Sequence, residues 1–345
     1  MSLPLKTPFA PMEALLVKDI PNGRGWQYEP KWDGFRCLVF RDGSKIELQS
    51  KSRQTLTRYF PEVAKAFLKL KPSHFVLDGE IAVPVNERFS FDDLLQRIHP
   101  AESRVCKLAR ETPALYIAFD LLVAEEGRLL VKQTLPERRA ALEKFAEKYF
   151  NGQSHIRLSP ATTDLTVAKK WFKTVGGDLD GIVAKRLDCP YMSGERTGMQ
   201  KVKLARTADC VIGGFRYAAN ARVVGSLLLG LYDRAGLLNH VGFCSGLKTE
   251  QRKALLRKLE PLMEPPGFTG HAPGGLSRWS TKRSMEWEPL KPQLVIEVSY
   301  DHFTGDRFRH GTRLLRWRPD KSPKQCTMDQ VTAAGKGSIA LLEKH

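Results

Sequence analysis

The predicted secondary structure changes in type near residues 203–208, and this change limits the folds that the chain can adopt. After it come strands at 209–217, 225–233 and 238–244, a helix at 249–263 and a strand at 294–300. Three strands, a helix and a strand form the order typical of a small five-stranded OB barrel. The sequence therefore predicts that residues 206–345 form an OB-fold β-barrel domain, in which the Pro- and Gly-rich residues 264–292 are a long loop.

The first part of the chain has a mixed pattern. A hairpin is predicted around Asp42-Gly43, formed by 35–40 and 45–49. The other predicted elements are strands at 75–85 and 115–123 and helices at 61–70, 136–150 and 164–175. We expect an α+β domain over residues 1–205, with antiparallel sheets and flanking helices.

The charge of the chain indicates an anionic partner. Its 55 Lys and Arg exceed its 38 Asp and Glu, which gives a net charge of +17, shared as +8 over residues 1–205 and +9 over the rest. Nucleic acid is the partner that this positive charge favours, because binding of Lys and Arg to its phosphates releases counterions and so strengthens binding. The alternative is a basic surface without such a partner.

Other sequence features restrict the cell compartment. No apolar run approaches the roughly 18 to 20 residues of a membrane helix, and residues 1–20 do not have the pattern of a signal peptide. Six cysteines are scattered without a CxxC pair, which argues against a zinc ribbon or a dense disulfide framework. A cytoplasmic protein is the expectation.

One lysine has neighbours that favour chemistry. Lys31 stands in Glu29-Pro30-Lys31-Trp32-Asp33-Gly34-Phe35-Arg36, whereas the common phosphate-binding loops are absent from the sequence. A lysine beside other cations can act as a nucleophile if it is neutral when it attacks. Alone, the pattern also fits an exposed lysine beside a hairpin turn.

Further motifs identify a family resemblance. The K-x-D-G motif at Lys31 is followed in order by Ser50-Lys51-Ser52-Arg53, Leu77-Asp78-Gly79-Glu80, Phe119-Asp120, Asp180-Gly181-Ile182-Val183-Ala184-Lys185, Lys201-Val202-Lys203 and Arg316-Trp317-Arg318-Pro319-Asp320-Lys321. In these motifs the chain resembles the ATP-dependent DNA ligases of the covalent nucleotidyltransferase superfamily. The pattern is most like that of small bacterial ligases related to the ligase module of the end-joining ligase.

The resemblance implies a role for each matching residue. Lys31 would be the nucleophile that takes AMP from ATP, Glu29 would position adenine, Phe119 would stack on it and Glu80 would bind the ribose. The cations implied to hold ribose or phosphate groups are Arg36, Arg53, Arg196, Lys201 and Lys203. Taken singly, these residues also have ordinary structural interpretations. Glu29 could be a surface glutamate, Phe119 a core residue and Glu80 a strand-end carboxylate. Lys201 and Lys203 could belong to a solvated strand edge.

The resemblance also implies a metal and a moving domain. Asp180 and Glu80 would be the carboxylates for Mg²⁺ or Mn²⁺, although Asp180 stands where the family more often has Glu. A salt bridge to Lys185 or Arg196 is the alternative role of Asp180. Arg316, Arg318 and Lys321 would orient the departing pyrophosphate. Since these residues lie in the second domain, that domain would swing between steps.

The sequence thus predicts an ATP-dependent DNA ligase. It would seal 5′-phosphate/3′-hydroxyl breaks in duplex DNA through a lysyl-AMP intermediate. We expect a monomer that acts on nicked DNA in DNA repair, with possible repair-protein partners. Its expected location is the bacterial cytoplasm, with use at the nucleoid. Two alternatives stay open: a GTP-dependent RNA capping guanylyltransferase, and a non-catalytic nucleic-acid-binding protein with an OB domain.

Overall fold

Internal contacts divide the chain into two units. The computed structural model describes residues 3–174, 179–203, 206–274, 286–331 and 337–342. One unit comprises Met1–Leu204 and Ala334–His345, and the other comprises Ala205–Ala333. The predicted domain limit, 205/206, lies within one residue of this division, but the assignment of all of 206–345 to the second domain differs from it. Leu341 and Leu342 pack with Trp32 in an apolar cluster of the first unit.

The first unit contains two main sheets, a short hairpin and five helices among its described residues. Its strands are β1 (Leu15–Leu16), β2 (Trp26–Lys31), β3 (Phe35–Asp42), β4 (Lys45–Ser50), β5 (His74–Ala82), β6 (Pro84–Val85), β7 (Arg88–Phe89), β8 (Leu115–Val123), β9 (Ile156–Leu158), β10 (Gly181–Arg186) and β11 (Met199–Lys203). Its helices are α1 (Pro61–Leu68), α2 (Phe91–Gln96), α3 (Glu102–Glu111), α4 (Leu135–Tyr149) and α5 (Leu165–Thr174).

The strand orders explain how distant segments meet. One sheet has the order β1-β11-β10-β2, the other has the order β4-β3-β5-β8-β9, and β6 pairs with β7. All pairs are antiparallel except β1–β11 and β8–β9. A core of apolar side chains from the second sheet, α1 and α4 supports it.

Local signals account for most elements of this unit. The hairpin predicted at Asp42-Gly43 is present as β3 and β4, and Gly43 has a positive φ of 62° that its two-residue turn requires. Helix α4 begins with a capping box between Thr134 and Glu137. The predicted end of the helix at 164–175 lies outside the described residues. Helices α2 and α3 were not predicted, since α3 buries only Val105 and its apolar pattern is weak.

The second unit has the predicted OB-fold strand order. Its elements are β12 (Arg206–Ala218), β13 (Ala221–Tyr232), β14 (Leu238–Cys244), α6 (Thr249–Leu259), β15 (Glu288–Pro289), β16 (Val295–Tyr300), β17 (Phe303–Thr304), β18 (Arg307–Phe308) and β19 (Arg313–Trp317). The main sheet runs β14-β13-β12-β16-β19. One isolated parallel bridge, between Cys244 and Thr312, links the two edges of this sheet, so among the described residues the strands do not form a closed barrel. The predicted loop at 264–292 contains β15, which pairs with β12.

Within the described residues, no helix combines the length and the apolar composition needed to cross a membrane.

Candidate active site

The main candidate site is a cavity in the first unit. It has a volume of about 1080 Å³ and is lined by residues from both of its sheets. The lining residues on which the site is built here include Glu29, Lys31, Arg36, Glu80, Phe119, Lys185 and Lys201. The structure therefore brings together six of the predicted site residues and adds Lys185.

Strand register explains how the first sheet presents its share of these residues. In the antiparallel β2–β10 pair, Lys31 lies opposite Gly181 and Glu29 lies opposite Val183, while Val183 lies opposite Lys201 in the β10–β11 pair. Side chains that are directly opposite in a sheet, or two residues apart on one strand, share a face. This face carries Glu29, Lys31 and Lys201 toward the cavity.

Lys31 lies against the carboxylate of Asp180. Its ammonium group pairs with one oxygen of Asp180, and the backbone N–H of Asp180 donates to the carbonyl oxygen of Lys31 over 3.0 Å. The other Asp180 oxygen lies 3.5 Å from the ammonium nitrogen of Lys203. Asp180 thus pairs with Lys31 and Lys203, whereas the two expected alternative partners pair elsewhere, Lys185 with Glu29 and Arg196 with Glu13.

Lys201 is a second cation on this face. Partial burial lowers the pKa of Lys201, and the positive charges of Lys31, Lys51 and Lys203 lower it further. Cations that repel one another in a cavity are stabilised by an anion placed between them. The arrangement suits a phosphate group beside Lys31.

A buried ion pair lies at the inner end of the cavity. Lys185 Nζ lies 2.8 Å from Glu29 Oε2, both side chains are less than 10 % exposed, and Gln27 donates to the other Glu29 oxygen over 2.8 Å. Lys185 also lies over the Phe119 ring, 4.7 Å from its centroid. The Glu29 carboxylate is therefore held in place, and each of its oxygens keeps a further lone pair that can accept a hydrogen bond from a base.

Lys185 had been given no separate role from sequence. It is two residues beyond Val183 on β10, so the period of a strand places it on the face that Glu29 occupies. That spacing is the signal that could have predicted its position.

Arg36 is fixed by Asp78. Arg36 Nε and Nη2 donate to the two Asp78 oxygens over 2.7 and 2.6 Å, and its guanidinium lies 4.8 Å from the Phe119 centroid. The Tyr191 hydroxyl donates to Asp78 over 2.6 Å, and Asp78 is fully buried. Asp78, to which the sequence analysis assigned no role, thus orients a cation of the cavity.

Three of the predicted nucleotide-binding cations, Arg53, Arg196 and Lys203, are not among the residues that line the cavity. Arg53 is exposed in a turn with a φ of 65°, where its backbone N–H donates to the Ser50 carbonyl over 2.9 Å. Arg196 is exposed and its Nε lies 3.4 Å from Glu13. A turn and an exposed ion pair keep the side chains of Arg53 and Arg196 on the surface, and their contact with a nucleotide stays a prediction.

The C-terminal motif is paired within the second unit. Arg316 Nε donates to Glu297 over 2.6 Å, whereas Arg318 and Lys321 both donate to Asp209, over 2.8 and 2.7 Å. Asp209 is largely buried at the start of β12. These acids order the motif.

The predicted metal site depends on two carboxylates, those of Asp180 and Glu80. In the part of the chain that the structure describes, no cluster of three or more His, Cys, Asp or Glu could hold a metal ion. Magnesium sites on phosphate substrates commonly use one or two carboxylates, with phosphate and water oxygens completing the shell. Asp180, beside Lys31, and Glu80, on the cavity wall, fit such a site only when a phosphate is present.

The state of Glu80 leads to a pH prediction. Burial raises the pKa of Glu80 to about 8 from 4.5, although Lys31 and Arg36 oppose the shift. The stability that this raised pKa contributes is complete at acidic pH and is lost as the pH rises through about 8. We expect the melting temperature of the nucleotide-free protein to fall less between pH 5 and 8 in Glu80→Gln than in the wild type. Exposed Glu147→Gln is the control, and equal slopes in all three proteins would contradict the prediction.

A cavity that contains a lysine at a strand end and cations for a phosphate, in a chain that also has an OB fold, is the combination found in covalent nucleotidyltransferases. The family model for the ATP dependent DNA ligase domain matches residues 11–203, and that for the ATP dependent DNA ligase C-terminal region matches residues 220–321. The chain belongs to the ATP-dependent DNA ligase family.

Individual relatives agree with this assignment. The chain is 43% identical over 347 residues to DNA ligase C2 of Mycolicibacterium smegmatis, covering 96% of each protein. It is 29% identical to the multifunctional non-homologous end joining protein LigD of Mycobacterium bovis, covering 87% of this chain and 37% of that protein. A solved Lig E DNA ligase has a TM-score of 0.52 at 17% identity, covering 90% of this chain and 99% of that one, and shows the shared fold. The predicted resemblance to small bacterial ligases related to the end-joining module is confirmed.

Proposed function

We propose that this ATP-dependent DNA ligase seals 5′-phosphate/3′-hydroxyl breaks in duplex DNA through AMP bound covalently to Lys31. The observation that carries the proposal is the position of Lys31, which lies in the cavity beside Asp180 and on the same face as Lys201. A nucleophile surrounded by cations suits attack on a phosphate.

Three phosphoryl transfers complete the reaction. Lys31 Nζ, having lost its proton, attacks the α-phosphorus of ATP, and the bond from that phosphorus to the bridging oxygen breaks to release pyrophosphate. The 5′-phosphate of the break then attacks the same phosphorus and frees Lys31. Finally, the 3′-hydroxyl attacks the activated 5′-phosphate, forms the phosphodiester and expels AMP.

Different residues of the cavity would bind the base, the ribose and the phosphates of ATP. We assign the base to the wall formed by Phe119 and Val183, with the Glu29–Lys185 pair at its edge, and the ribose to Glu80. Arg36, held by Asp78, and Lys201 face the phosphates. Asp180 pairs with Lys31 and can accept its proton or keep its ammonium group in position until ATP arrives.

Mg²⁺ is part of the proposal. Asp180 and Glu80 would hold it together with phosphate oxygens, and Mn²⁺ could replace it. Bound there, the ion would neutralise charge that develops on the phosphates.

The DNA partner follows from the charge of the chain. Both halves are basic, with +8 over residues 1–205 and +9 over the remainder, so we expect both to contact backbone phosphates of nicked duplex without reading bases. A monomer acting in DNA repair in the bacterial cytoplasm, with possible repair-protein partners, completes the proposal. The resemblance to LigD, named for end joining, supports the repair role.

The direct test is intact-mass measurement of the protein after incubation with MgCl₂ and either ATP or GTP. We expect one AMP per chain with ATP, and that charged protein should seal a nicked duplex without added ATP. Loading with GMP alone would favour the capping guanylyltransferase. No adduct with either nucleotide would favour a non-catalytic binding protein.

Arg316 provides a test of the C-terminal motif. Its side chain is exposed and its partner Glu297 is not deeply buried, so Arg316→Ala should fold normally. If Arg316 orients pyrophosphate, the variant should charge Lys31 at least tenfold more slowly, since a lost phosphate contact commonly costs this much or more. Removal of AMP from charged enzyme by added pyrophosphate should slow equally.

Sealing of a nick that already carries AMP should be unchanged in Arg316→Ala, because pyrophosphate takes no part in that step. Exposed Lys253→Ala in α6 is the control. Equal loss of all these activities would point to misfolding of the OB fold, and loss of sealing alone would mean that Arg316 serves DNA binding instead.

A further inference from the structure

Residues 337–342, here called the strap, follow the OB-fold in sequence but pack on the first unit. They form a short 3₁₀ helix, Ser338–Leu341, and end at Leu342. Ser338 is fully buried and Leu342 is 5% exposed. A short segment that follows the OB fold in sequence is thus buried in the first unit.

The strap approaches the β6–β7 turn closely through its first residue. A Cβ atom on Gly337 would lie 1.7 Å from the carbonyl oxygen of Glu87, which leaves room for glycine alone. Asn86 and Glu87 both have positive φ, so the turn itself has little freedom to move away. The contact therefore fixes where the strap begins.

The other end of the strap packs beside the nucleophile. Leu341 and Leu342 share an apolar cluster with Trp32 and Leu179. Trp32 follows Lys31 in the chain, and its indole N–H donates to Ser159 Oγ over 2.9 Å. Leu179 precedes Asp180, whose backbone N–H donates to the Lys31 carbonyl. Both partners of the Lys31–Asp180 pair thus have their neighbours in this cluster.

We infer that the strap is a positioning element for Lys31. By packing in the cluster with Trp32 and Leu179, it holds Lys31, at the end of β2, and Asp180, just before β10, in the geometry needed for attack on the α-phosphorus. This inference rests on the proposed function. It goes beyond it in assigning a part of the first step to residues that lie outside the cavity and outside both matched family regions.

The individual steps of the reaction distinguish a strap that positions Lys31 from a strap that only stabilises the fold. Transfer of AMP to and from Lys31 requires the lysine in place, whereas the sealing of a nick that already carries AMP does not use it. A strap that only adds stability would affect all steps alike. A strap that positions Lys31 would affect only the steps in which Lys31 takes part.

Leu342→Ala tests this in the full chain, with Leu70→Ala as the matched control. Leu70 is 6% exposed in the main core of the same unit and is not part of the Trp32 cluster. We expect the single-turnover rate of Lys31 adenylation at saturating ATP to fall about tenfold in Leu342→Ala, because a misplacement well under 1 Å has effects of this order. Sealing of pre-adenylated nicks should stay at the wild-type rate, and Leu342→Met should restore adenylation to within about twofold.

Equal adenylation rates in Leu342→Ala and Leu70→Ala, each compared with its own melting temperature, would overturn the inference. A second pair keeps the test valid if Leu342→Ala does not fold. Gly337→Ala should show the same step-specific loss, whereas Gly246→Ala, where a Cβ meets nothing within 4 Å, should not. Failure of the proposed function would show differently, as a wild-type protein that takes up no AMP.

Discussion

Lys31→Ala is expected to abolish the covalent adenylate and to stop the sealing of ordinary 5′-phosphate nicks. The expected loss is complete within detection, since among the described residues no other cavity lysine occupies this place beside Asp180 at the end of β2. Lys201 and Lys185 line the same cavity but lie on β11 and β10, and Lys185 is held by Glu29. Intact mass after incubation with ATP and MgCl₂ measures the first effect, and a nicked duplex measures the second.

The same variant should still seal a nick that is supplied with AMP on its 5′-phosphate. That step needs the DNA-bound enzyme and the cations of the cavity but not the lysine nucleophile. Exposed Lys144→Ala in α4 serves as the control and should match the wild type in all three assays. If Lys31→Ala carried AMP as the wild type does, the assignment of the nucleophile would be wrong.

Asp78→Ala is expected to produce the largest loss of stability. Asp78 is fully buried and accepts hydrogen bonds from Arg36 and Tyr191, so its removal leaves a guanidinium without its counter-charge. Breaking a pair of this kind costs about 3–5 kcal/mol, which corresponds to a fall of roughly 10 °C in the melting temperature of a domain of this size. Calorimetry of the nucleotide-free protein measures it.

The control for Asp78→Ala is Asp188→Ala. Asp188 also pairs with an arginine, Arg186, over 2.5 Å, but both side chains are exposed. Exposed pairs contribute about 0–1 kcal/mol, so the melting temperature should move little. In an Arg36→Ala background Asp78→Ala should cost less than in the wild type, because the charge it would strand is gone. Equal costs in the two backgrounds would show that Asp78 stabilises the fold independently of Arg36.

The sequence alone determined the family and six residues of the cavity, because the motifs that indicate them are local. The spacing of motifs from Lys31 to Lys203 identified the family and six of the residues that line the cavity. Alternation of apolar residues gave the strands of the OB-fold, and Asp42-Gly43 gave the β3–β4 turn. Each of these depends on residues within a few positions of one another or on a strand's period of two.

Tertiary structure alone decided which charges meet. Whether Asp180 faces Lys31, and whether Lys185 pairs with Glu29, depends on the register of β10 against β2, which is formed between segments about 150 residues apart. The exposure of Arg53 and Arg196 also depends on tertiary placement, since their motif positions suggested the cavity. The return of residues 337–342 to the first unit follows from packing of Leu342 on Trp32 and from the fit of Gly337 against Glu87, contacts that no local pattern records. Register and long-range packing are set by the sum of many distant contacts, and this is why they required the folded chain.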